Sequence, residues 1–175
     1  MREAWTGRLG EEHLLGLPKI EKKRGGEIPY IPYRQSFEMT KRLAAFDPSD
    51  PEPQFANDLH ATIAEMLGLD NYELLRYYSA LRTPLDIYHS VDAFFELDSG
   101  TGDTVKITID LTFNPQKEQY KADIILFVDK NLDIEENRQG YLELINRSAS
   151  EIASALKAAL KIQQIKRERG IYNDR

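Results

Sequence analysis

Two apolar, β-prone runs joined by a short polar turn constrain this chain more than any other feature. Residues 88–97 read Tyr-His-Ser-Val-Asp-Ala-Phe-Phe-Glu-Leu, and residues 105–112 read Val-Lys-Ile-Thr-Ile-Asp-Leu-Thr. Between them Asp98-Ser-Gly-Thr-Gly-Asp-Thr104 supplies polar and glycine residues, so the spacing predicts a hairpin. The first strand is expected over 85–97, broken near Ser90, and the second over 105–113. A third run, 122–128 (Ala-Asp-Ile-Ile-Leu-Phe-Val), is apolar on both faces, as in a central buried strand.

Helical periodicity surrounds this meander. Short helices are expected over 36–46 and 72–81, the second ending before Pro84. A longer one is expected over 52–67, where Phe55, Leu59, Ile63, Met66 and Leu67 form a stripe closed by Gly68. From 134 to 169 Tyr141, Ile145, Ser148, Ala149, Ile152, Leu156 and Leu160 recur at helical spacing, so one face packs on the sheet. Residues 1–35 read as an irregular arm, because Gly25-Gly26 breaks a helix and Pro29 and Pro32 favour extended chain before them. The expected fold class is α+β: N-terminal helices, a small β-meander or mixed sheet, and a long C-terminal helix on the sheet. The arm 1–35 precedes a single domain over 36–175.

Composition narrows the chemistry. The 175 residues include no cysteine, which excludes disulfides, thiolate zinc sites and a cysteine nucleophile. His13, His60 and His89 are the only histidines, too few for a histidine-rich metal centre. No apolar run approaches the roughly 20 residues that span a bilayer, and the N-terminus lacks a signal-like apolar core, so a cytoplasmic protein without membrane contact is expected. Phosphate-loop, dinucleotide-turn, serine-elbow and H-E-x-x-H motifs are all absent. Net charge is −6 and unevenly spread. Residues 51–110 carry eleven acids against Arg76, Arg82 and Lys106, whereas Lys157, Lys161, Lys166, Arg167 and Arg169 face only Glu168 in the last helix. Such a basic helix either contacts phosphates or simply complements its own dipole.

The acids on the hairpin carry the sharpest signal. Side chains alternate along a strand, so Asp92, Phe94 and Glu96 share one face, as do Thr108, Asp110 and Thr112. Asp92 and Asp110 can therefore lie on one side of neighbouring strands. Two close carboxylates either hold a divalent cation or force one of the pair to take a proton. Mg²⁺ or Mn²⁺ suits one or two carboxylates with water completing the shell, and acidifies that water for attack on a phosphodiester. Asp110 interrupts a β-prone run where aspartate is depleted, while Asp92 also fits a turn cap after Ser90.

An apolar strand ending in an acid, a hairpin, then Asp-x-Thr on the next strand resembles the metal centre of the PD-(D/E)XK nuclease superfamily. The resemblance spans about residues 52–128 and implies a restriction-endonuclease-like fold, with metal held by Asp92 and Asp110. It also implies an acid on the helix before the sheet, which falls to Glu65. Thr112 stands where the pattern has its lysine. Lys121, and after it Lys117, are the candidates to supply that charge from elsewhere. The link from Thr112 to Lys121 is too short for the family's crossover helix.

The functional expectation is Mg²⁺- or Mn²⁺-dependent hydrolysis of DNA, with Asp92, Asp110 and Lys121 catalytic. Asp92, Asp110 and Glu65 would hold the metal, and Lys157, Lys161, Lys166 and Arg167 would contact phosphates. The alternative is a catalytically inactive nuclease-fold interaction or structural protein, homodimeric through Tyr30 and Tyr33 of the arm. A small-molecule pocket lined by Phe94, Phe95 and the tyrosines is the third reading.

Overall fold

The turn chemistry at 98–104 closes the hairpin. The computed structural model of the chain describes residues 7–20, 28–117, 121–132 and 136–170. Strands β2 (Ala93–Asp98) and β3 (Thr104–Thr112) pair antiparallel, setting Phe95 opposite Ile107 and Glu96 opposite Lys106. Gly100 and Gly102 take φ of +73° and +91° in the turn, a region glycine enters without steric cost. β1 (Leu75–Ser79) pairs antiparallel with β2, and β4 (Ile124–Phe127) runs parallel to β3. The result is a four-stranded mixed sheet in the order β1-β2-β3-β4.

Helices cover both faces. α3 (Gln54–Leu67) and α5 (Arg138–Glu168) pack on each other and on the sheet, and α1 (Gly7–Leu15) joins α3 and β3. The main core lies here: Leu15, Phe55, Leu59, Ile63, Tyr77, Phe95, Ile109, Leu111, Ile152 and Leu156 are all buried in one cluster. A smaller cluster on the opposite face joins Phe37 of α2 (Tyr33–Arg42) and Leu85 of α4 (Pro84–His89) to Tyr78, Val91 and Phe94. The α+β class, the hairpin, the helix ending at Leu67 and the long last helix are as expected. A left-handed Gly68 terminates α3.

Four expectations give way. The helix expected over 72–81 is a 3₁₀ turn (Tyr72–Leu74) followed by β1. Leu75 and Tyr77 enter one core and Tyr78 the other, so the segment must be buried on both sides, and β2 offers it a free edge. The first half of the strand expected over 85–97 is α4 instead. Thr83 caps it, its hydroxyl accepting the Leu85 N–H at 3.2 Å; Pro84 opens it, and left-handed Ser90 ends it. The arm is not irregular over 7–15, where α1 forms and buries Leu14 and Leu15; the Gly25-Gly26 pair lies outside the described residues. Lastly β4 is an edge strand. Leu126 is buried, the other three residues are half-buried, and Arg147 donates to the Phe127 carbonyl at 3.1 Å.

Tyr77 ties α1 to the sheet. Its hydroxyl, fully buried, donates to the Leu15 carbonyl at 3.0 Å. Tyr77→Phe keeps the ring and strands that carbonyl, so a loss of about 1–2 kcal/mol is expected. For a chain of this size the melting temperature should fall by about 2–6 °C; an unchanged melt would mean that α1 is not held by this bond.

Candidate active site

Asp92 stands one residue before β2, where α4 has just turned through Ser90. Its N–H donates to the Ile109 carbonyl at 2.9 Å, and its carbonyl accepts the Ala80 N–H at 2.8 Å. Its carboxylate accepts the Leu111 N–H at 2.7 Å, so a side chain takes the place of a strand acceptor at the end of the ladder. Asp110, on β3 next to Leu111, is 3% exposed and Asp92 is 8% exposed. Lys117, in the connection after β3, donates from Nζ to both Asp110 oxygens at 2.7 and 2.5 Å.

Two further acids converge on this pair. Burial pushes the Asp92 carboxyl up to about 8, with Asp110, Glu11 and Asp86 adding repulsion and the Leu111 N–H opposing. Glu11 of α1 is pushed up to about 7, first by burial and then by Asp86 and Asp110, against Lys117 and Arg8. Asp86 of α4 is raised as well, chiefly by burial, although the Arg82 N–H donates to it at 2.6 Å. A cavity of about 380 Å³ opens beside these acids, lined by Arg8, Glu11, Glu12, Arg82, Asp86 and Ile87 among others. Such pKa shifts beside a cleft mark a candidate functional site.

The oxygens of Asp92 and Asp110 are hard donors that suit Mg²⁺ or Mn²⁺. Burial first, and then repulsion from Asp110, Glu11 and Asp86, favours the protonated form of Asp92, and a cation between the carboxylates would offset that repulsion. Among the described residues no three His, Asp or Glu side chains form a group that could hold a metal, so a cation here would rely on the aspartate pair and on water.

Alternation along the strands thus brings Asp92 and Asp110 together as the sequence implies. Other candidates stand elsewhere. Lys121 is exposed, and it is Lys117 that reaches Asp110. Glu65 is exposed near the C-terminal end of α3, away from that helix's buried face. Thr112 accepts the Asn114 N–H at 3.1 Å, a turn contact. Glu96 pairs with Lys41 at 2.6 Å and Lys106 at 3.5 Å, a buried ion pair at mid-strand. His60 is buried with Nε2 on the Leu75 carbonyl at 2.8 Å, and His89 meets the Ile31 carbonyl at 2.9 Å beside the rings of Tyr30 and Tyr33. Phe94 and Phe95 are fully buried in opposite cores.

The basic helix end points to the far end of the sheet. Lys157 donates to the Met66 carbonyl at 2.9 Å, and Arg167 to Thr101 and Asp103 at 3.2 Å, while Lys161 and Lys166 are exposed. Asp103 immediately precedes β3 and Asp110 lies on it, seven residues on, which is roughly 24 Å of extended chain. No single phosphate can touch both groups.

Glu11 and Asp86 escape the sequence reading. For Glu11 the available signal was Leu14-Leu15, three and four residues on, which places all three on one side of a helical turn. For Asp86 it was Thr83-Pro84-x-Asp, a helix start with an acid in its first turn. Fold and site together define an α+β domain with a paired-carboxylate centre. No protein-family model, curated protein or solved structure matches the chain.

Proposed function

We propose that the chain is a metal-dependent phosphodiester hydrolase acting on DNA, on a restriction-endonuclease-like fold. The observation that carries this is the buried Asp92–Asp110 pair with the Lys117 ammonium on its second member. The strand order supports it, with an antiparallel β1-β2-β3 meander and a parallel β4. Asp92 and Asp110 would hold Mg²⁺ or Mn²⁺, and the bound ion would supply Lewis acidity and an acidified water. Lys117 donates to both oxygens of Asp110 and so orients that carboxylate. Lys117, part-exposed, is placed to stabilise charge developing on a phosphoryl group. The basic end of α5 would meet a duplex about seven base pairs away, by the 3.4 Å rise per step.

A thermal melt with Mg²⁺ and Mn²⁺ tests the metal assignment. At ten times the dissociation constant, binding stabilises by about 1.4 kcal/mol, a rise of about 3–6 °C. Asp110→Asn should abolish that rise. An equal rise in both proteins would place the cation elsewhere.

One observation favours an interaction domain without catalysis. Both acids already have protein partners, the Leu111 N–H and Lys117. That reading expects no cation-dependent shift and no hydrolysis in any divalent ion.

A further inference from the structure

Two arginines converge on a single carboxylate oxygen in the cavity beside the acidic centre. Arg82 donates from Nε to Glu12 Oε1 at 2.9 Å, and its Nη2 makes a second contact with the same atom. Arg8, one turn earlier on α1, holds its Nε 3.6 Å from that oxygen. Glu12 is mostly buried, Arg82 is part-exposed and Arg8 is exposed, and all three line the 380 Å³ space together with Glu11 and Asp86. Arg82 also sits at φ 62°, a left-handed conformation uncommon for a residue with a side chain, and it immediately precedes α4. An arginine held in unfavourable backbone, aimed with a second arginine at one anionic oxygen, is more than a surface ion pair requires. Ile87 and Leu81 supply apolar wall to the same cavity.

We propose that Arg8 and Arg82 form a phosphate-binding subsite for a nucleic-acid strand, and that Glu12 is an internal stand-in for the phosphate. The inference rests on the hydrolase reading, which it extends by assigning the neighbouring phosphate of the same strand. A guanidinium pair binds a phosphate oxygen as it binds a carboxylate oxygen, in the same fork geometry. The cavity volume suits one nucleotide unit, with phosphate at the arginines and base against Ile87. An incoming strand must displace Glu12, so the free protein binds it less tightly than its arginines alone would allow.

Titration of inorganic phosphate and of a hexathymidylate strand into the full chain, in EDTA and low salt, tests this without any metal. Arg82→Ala should weaken both by tenfold or more, and Glu12→Gln should tighten both by about tenfold. Arg8→Ala should weaken them less, given its longer contact. Circular dichroism identifies any variant that has lost its fold, and Arg82→Lys then serves in place of Arg82→Ala, keeping charge and losing the fork. Binding unchanged by both Arg82 and Glu12 substitutions would overturn the subsite. Phosphate binding without strand binding would overturn its assignment to nucleic acid. Because no cation is present, these failures are separate from loss of the cation shift at Asp110, which bears on the hydrolase reading alone.

Discussion

Asp92→Asn is expected to make the protein more stable than wild type at pH 8.5, and equally stable near pH 4. Asp92 ionises at about 8 in the folded chain, above its ordinary value of 3.8. The folded state therefore holds a proton that the unfolded state releases, across the window from about 4 to about 8. Stability is fully present below that window and is lost as pH rises through it, at up to about 1.4 kcal/mol per pH unit. Glu11 acts in the same direction up to about 7. Asparagine retains an oxygen for the Leu111 N–H and places no charge beside Asp110. A difference of at least about 2 kcal/mol at pH 8.5 should appear as about 4–8 °C in the melt. Saturating Mn²⁺ should flatten the wild-type pH slope, since a cation keeps the carboxylate ionised, and leave the variant alone. Wild-type and variant melting curves that run parallel from pH 4 to 8.5 would show that Asp92 bears no such strain.

Lys117→Ala is expected to act with opposite sign on binding and on turnover. Removing the ammonium leaves Asp110 buried with no cation on its two oxygens. Breaking a buried pair from one side costs about 3–5 kcal/mol, and the part-exposed lysine reduces that to about 1–3 kcal/mol. In the metal-free protein the melt should fall accordingly at pH 8. A divalent cation no longer competes with Lys117, so its affinity should rise and its addition should restore much of the lost stability. Hydrolysis of a DNA substrate in Mn²⁺ should nonetheless fall by about 10²–10³, the usual loss for one group that stabilises transition-state charge. Lys121→Ala, at an exposed site, should leave all three measurements near wild type. If Lys121→Ala abolished turnover and Lys117→Ala did not, the sequence order of preference would be restored.

Much of the site was legible because strand parity is local. A two-residue period fixes that Asp92 and Asp110 can share a face once the hairpin forms, and Gly100 and Gly102 fix the hairpin. Which lysine serves Asp110 was not legible, because the sequence between β3 and β4 carries no periodic pattern that would place Lys117 or Lys121. Residues 72–81 were misread for a related reason. Leu74, Leu75 and Tyr78 have helical spacing, and only the open edge of β2 selects the strand. Thr83, Pro84 and Asp86 mark the start of α4, a signal that the expectation of a strand over 85–97 leaves out.

By itself the sequence determined the elements whose signals are local: the hairpin with its two acids, the stripe and glycine stop of α3, and the long periodic α5. The tertiary structure alone decided what meets across the chain. It seats α1 against the sheet through Tyr77 and Leu15, and so delivers Glu12 to Arg82, 70 residues away, and Glu11 to the still more distant Asp86 and Asp110. Patterning is written into neighbours three or four residues apart, whereas that convergence exists only once burial of Leu14 and Leu15 fixes where the helix lies.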